Sequence, residues 1–147
     1  GSMNIEFYII YIKENLMKMT MCILVGFFLI SLAGCRTEKK IEKIADIEYD
    51  ICEDNRLPKE LLEIIDAKKQ EPFKMTYGNK TSLYIIIGYG KQDRSNLCVT
   101  VDELYLTENA IYVDTTLVSN NEEDKGIVTY PYIVMKCETY NLPVVFK

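Results

Sequence analysis

From Phe73 onward the apolar residues recur at every second position, and that period leaves little but sheet for the chain to fold into. Phe73, Met75 and Tyr77 alternate with polar neighbours up to Gly78-Asn79, a turn signal, and Leu83 to Tyr89 follows. Leu97 to Leu106 and Ala110 to Val118 come next, joined by Thr107-Glu108-Asn109 as a compact hairpin connection. Ser119 to Gly126 is acidic and polar and reads as a mobile loop, after which Ile127 to Cys137 and Leu142 to Phe146 complete the set. About six short strands at this spacing, rich in Val, Ile, Thr and Tyr, predict a mainly β (α+β) fold: an antiparallel β-sandwich or a small barrel.

Two places qualify the alternation. Tyr84-Ile85-Ile86-Ile87 is continuously apolar, which predicts a central strand covered on both faces. Pro131 lacks an amide hydrogen and belongs at a strand start, an edge or a bulge, so Thr129 to Tyr132 marks a kink. Upstream, Ile47, Tyr49 and Ile51 alternate with Glu48 and Asp50 as a half-buried strand would. One N-terminal amphipathic helix is expected over about 58–70. Pro58 suits its first turn, Glu60 its positive end, Leu61, Leu62 and Ile65 its buried stripe, and Lys68-Lys69 its C-terminus.

The first third of the chain carries an address. Gly1-Ser2 before Met3 reads as the scar of tag removal. Residues 3–34 then hold a basic start, an apolar run from Met21 to Leu32 of about a dozen residues, and small residues before a cysteine, as a signal region does. Leu32-Ala33-Gly34-Cys35 resembles the bacterial lipobox, which implies a diacylglyceryl group with palmitate-type acyl chains on Cys35 and cleavage before it. An apolar run this short is marginal for a bilayer core of about 30 Å, which takes roughly 20 residues. Met17-Lys18 stands where such a signal ordinarily begins, so residues 3–16 are either untranslated codons or an apolar extension of the signal. Either way the expected mature chain is a lipidated Cys35, a polar tether to residue 46 and a β domain over 47–147, anchored on the extracytoplasmic face of the cell membrane. Fourteen lysines against three arginines point to an A/T-rich genome, such as that of a low-GC Gram-positive bacterium.

Candidate chemistry is thin. With no histidine, a Ser-His or Cys-His nucleophile and a His-ligated metal are excluded. The net charge of −5 argues against nucleic acid as a partner. Cys52, Cys98 and Cys137 leave room for one disulfide or for none, and their wide spacing does not make a metal set. Glu53-Asp54 and Glu122-Glu123-Asp124 lack calcium-loop spacing and read as solvated loop charge. Gly88-Tyr89-Gly90 lacks the continuation of a phosphate loop and reads as a tight strand end. No catalytic residue, cofactor or metal ligand is expected. Tyrosine is the compositional excess, with eleven in the chain; Tyr89 with Tyr130 or Tyr132 is the expected contact patch.

Residues 57–147 resemble the C-terminal domain of PrcB-type lipoproteins, subunits of a protease complex. The resemblance lies in Leu57-Pro58-Lys59-Glu60-Leu61, Tyr84-Ile85-Ile86-Ile87-Gly88-Tyr89-Gly90 and Asn109-Ala110-Ile111-Tyr112-Val113, and continues through Thr115-Thr116-Leu117 to Thr129-Tyr130-Pro131-Tyr132-Ile133-Val134-Met135-Lys136 and Pro143-Val144-Val145-Phe146. Where members carry a Thr-Gly-Gly-Tyr-like segment, this chain has Arg94-Ser95-Asn96-Leu97. The resemblance implies a non-catalytic accessory subunit of an envelope protein complex, such as a surface protease, with an exposed sheet edge and tyrosines as its contact. The alternatives are an envelope lipoprotein that binds a small ligand or a cell-wall component, and an enzyme with a carboxylate- or thiol-based site.

Overall fold

The computed structural model describes residues 3–32, 40–120 and 125–147. The chain divides into two compact units, Gly1–Lys40 and Ile41–Lys147. In the first, α1 (Met3–Leu32) runs unbroken through Met17, and the Thr20 hydroxyl donates back to the carbonyls of Leu16 and Met17. Among the described residues no helix is long and apolar enough to cross a membrane. Ala33, Gly34 and Cys35 of the lipobox lie outside the described residues, as do Asn121 to Asp124 of the acidic loop.

The second unit is a sandwich with a helix on its outer side. Its elements are β1 (Ala45–Asp46), β2 (Asp50–Ile51), a 3₁₀ turn at Asp54–Arg56, α2 (Lys59–Lys68), β3 (Pro72–Gly78), β4 (Ser82–Tyr89), β5 (Gln92–Arg94), β6 (Leu97–Leu106), β7 (Ile111–Ser119), β8 (Lys125–Thr129), β9 (Tyr132–Glu138) and β10 (Val144–Phe146). Sheet A has the order β1-β6-β7-β10 and sheet B the order β2-β9-β4-β3, while β5 and β8 form a separate ribbon. The sheets stay open, so the sandwich is the observed member of the two expected architectures. Pairing is antiparallel except at β10, which lies parallel to β7 with Val144 opposite Ile111.

Strand β4 is where sequence and packing meet most directly. Ile85 and Ile87 project into the core between the sheets with Ile111, Val113, Ile133 and Met135. Tyr84 and Ile86 project to the other face, where Leu57, Leu61 and Ile65 cover them. All four residues are buried, as a continuously apolar strand requires. Helix α2 starts after Pro58, whose carbonyl accepts the Leu62 amide, and is one residue shorter at its start and two at its end than the expected 58–70.

Three elements differ from expectation. The alternating stretch Ile47 to Ile51 is not one strand: β1 pairs with β6 of sheet A, Ile47 drops into the core, and β2 pairs with β9 of sheet B. The segment therefore crosses from sheet to sheet, which leaves Tyr49 and Ile51 exposed despite their apolar spacing. Ile127 to Cys137 is divided into β8 and β9 by Tyr130-Pro131, with the Pro131 carbonyl accepting the Tyr89 amide. The short strand β5 has no apolar alternation that would have announced it; β8 holds it, with a bond from the Thr129 hydroxyl to the Arg94 carbonyl.

Candidate functional site

The crossover segment closes one flank of the sandwich. Ile44 and Ile47 donate to the Leu106 and Leu104 carbonyls on sheet A, and Cys52 donates to the Val134 carbonyl on sheet B. Beside this crossover lies an open cleft of about 960 Å³, lined among others by Asp46, Glu48, Asp50, Lys136, Cys137 and Glu138. Its chemistry is limited. Burial pushes the Cys137 thiol above its ordinary value, opposite to what a thiolate nucleophile needs. Among the described residues no three His, Cys, Asp or Glu side chains are placed to hold a metal ion, and Cys22, Cys52, Cys98 and Cys137 are free thiols. Carboxylates line this cleft around a single lysine, so it differs from the apolar pocket a small organic ligand prefers.

The opposite flank is open. Among the described residues, strand β3 is the last strand of sheet B and pairs only with β4. The phase of its ladder follows from two bonds. Tyr89, opposite Pro72, turns its amide away from β3 to the Pro131 carbonyl, and the Asn79 amide beyond the other end donates to the Ser82 carbonyl. Since antiparallel pairs alternate, Phe73, Met75 and Tyr77 bond inward to β4, and the main-chain groups of Lys74, Thr76 and Gly78 face outward. Side chains divide differently. Phe73, Met75 and Tyr77 lie half-buried against the helix-side core. Lys74 lies on the sheet A side, where its ammonium donates to the Lys147 carbonyl (3.2 Å) and stands 6.0 Å from the Phe146 ring centre.

Local chemistry fixes this edge strand. The Asn79 carboxamide oxygen accepts the amides of Thr81 and Ser82, closing the β3–β4 turn as an Asx motif. Gly88 lies opposite Phe73, and a Cβ there would fall on the Phe73 ring, so the ring needs glycine beneath it. Gly90 has φ +71°, and a Cβ on it would meet the Pro72 nitrogen at 2.9 Å. The Gly-Tyr-Gly stretch thus ends β4 tightly and seats β3 upon it.

The three tyrosines expected at a contact patch do not share a face. Tyr89 packs against the core between the sheets, its hydroxyl 2.7 Å from the Thr115 hydroxyl. Tyr132 packs under α2 and donates to Asp54 at 2.6 Å; burial first, then that bond, push its pKa well above the ordinary tyrosine value. Tyr130 lies beside Lys69, whose ammonium is 5.8 Å from the ring centre. The open edge is what sequence reasoning placed only as an exposed edge without naming the strand; the charged Lys74 inside an alternating strand was its visible sign.

Asn96 has φ 55°, left-handed backbone that asparagine and glycine visit most readily. It stands within the stretch where the resemblance expects a Thr-Gly-Gly-Tyr-like segment. No curated protein and no solved structure matches the chain. Residues 83–138, from the second residue of β4 to the end of β9, match the family model described as PrcB C-terminal. Through that stretch the chain is similar to the PrcB C-terminal family.

Proposed function

We propose that this chain is a membrane-anchored, extracytoplasmic lipoprotein that serves as a non-catalytic accessory subunit of an envelope protein complex, with a surface protease as the first candidate partner. The observation that carries the reading is the asymmetric closure of the sandwich: among the described residues the chain crosses between the sheets at one flank and leaves the outer edges of β3 and β10 without a neighbouring strand at the other. An unprotected strand edge invites pairing with another chain, and recognition domains use such edges. Anchoring rests on Leu32-Ala33-Gly34-Cys35, since two acyl chains on Cys35 suffice for stable attachment. The PrcB C-terminal match supports the family setting. The cell-wall or small-ligand alternative has less behind it, because the cleft beside the crossover is charged and open.

The test is capture of the lipidated protein from membranes of its own host after gentle cross-linking, with its intact mass measured from the same sample. The expected mass is that of a chain starting at Cys35 and carrying a diacylglyceryl group, lost in Cys35→Ala. The expected companion is one stoichiometric envelope protein. A soluble, unlipidated chain would overturn the anchoring, and a capture with no enriched protein would overturn the accessory role.

A further inference from the structure

We infer that β3 accepts, by antiparallel strand addition, an extended segment of the partner protein with apolar residues at alternate positions and an acidic residue opposite Lys74. The inference rests on the accessory-subunit reading and names the partner's chemistry. The outward main-chain groups of Lys74, Thr76 and Gly78 offer donors and acceptors along the edge, while Pro72 at the strand's start supplies only a carbonyl. An incoming strand therefore finds its ladder between Lys74 and Gly78.

Directly opposed residues in an antiparallel pair place their side chains on the same face. Incoming residues beside Phe73, Met75 and Tyr77 extend the half-buried apolar surface that α2 only partly covers, and apolar side chains fit there. An incoming residue opposite Lys74 lies on the sheet A side, next to an exposed ammonium, and a carboxylate fits there. A second copy of this chain fits less well. With the ladder centred on Thr76 it would set its Gly78 opposite Lys74 and bring no carboxylate to that ammonium.

The decisive comparison uses three forms of the full lipidated chain, natural, Thr76→Pro and Thr76→Val, captured from host membranes and treated with a zero-length carbodiimide cross-linker. Thr76→Pro removes an outward amide that the protein's own ladder does not use, so its melting temperature should stay within a few degrees of the natural chain's. Thr76→Val keeps that amide. The expected result is a companion protein retained by the natural chain and by Thr76→Val, reduced at least tenfold by Thr76→Pro, and joined from Lys74 to an Asp or Glu within an alternating apolar segment. A companion held equally by a folded Thr76→Pro overturns the edge proposal and leaves the accessory role standing. Loss with both variants overturns the main-chain basis of binding. A dimer of the purified chain that Thr76→Pro dissolves makes a second copy the occupant and overturns the choice of partner. Absence of any companion overturns the accessory role and this proposal with it.

Discussion

Truncation of Ile85 and Ile86 tests whether β4 is covered on both faces. The two residues are adjacent and chemically identical, and both are fully buried at 0% exposure. Ile85 points between the sheets and Ile86 beneath α2. Replacing either by alanine removes three carbons, about 2.4 kcal/mol at roughly 0.8 kcal/mol per buried carbon, and adds a cavity cost that brings the total to about 2–5 kcal/mol. At roughly 4–5 °C per kcal/mol for a domain near a hundred residues, each variant should melt roughly 8–25 °C lower. Leu61 on α2, also at 0% exposure, separates the faces. In urea-unfolding cycles, Leu61→Ala should couple with Ile86→Ala by about 0.5–3 kcal/mol and add to Ile85→Ala within about 0.5 kcal/mol. An Ile86→Ala cost below about 1 kcal/mol, or equal coupling of Leu61 to both isoleucines, would refute the helix-covered outer face.

Other outcomes follow from single contacts. Gly88→Ala forces the Phe73 ring off its seat and should destabilise by about 1–3 kcal/mol, an effect that Phe73→Ala in the same chain should largely absorb. Tyr132 has a raised pKa in the folded protein, so above pH ~10 the unfolded chain releases this proton while the folded one keeps it. The Tyr132 contribution is therefore whole below that pH and declines above it. Thermal melts between pH 10 and 12 should fall more steeply for the natural chain than for Tyr132→Phe, and parallel slopes would refute the assignment.

Much of this was legible in the sequence because it depends on neighbours along the chain. Alternation from Phe73 announced β3, the run Tyr84 to Ile87 announced a doubly covered strand, Pro131 announced a kink where the chain in fact breaks into two strands, and Pro58 with Glu60 announced the start of α2. Other features depend on residues far apart in sequence. The alternation of Ile47, Tyr49 and Ile51 is identical for one half-buried strand and for a crossover, and only β6 and β9, lying in different sheets, decide between them. The parallel seat of β10 on β7 has no local signature.

The candidate site shows the same division. Composition revealed an excess of tyrosine, but the face each ring occupies follows from strand register: Gly88 opposite Tyr132 places Tyr132 under the helix, while Tyr89 turns to the inner core. That β3 is a strand with one half-buried face follows from its period and side-chain chemistry, which are properties of the strand alone. That it is an edge, and which of its amides face outward, comes from the pairing of segments far apart in the chain, because an edge is defined by the strand that is not beside it.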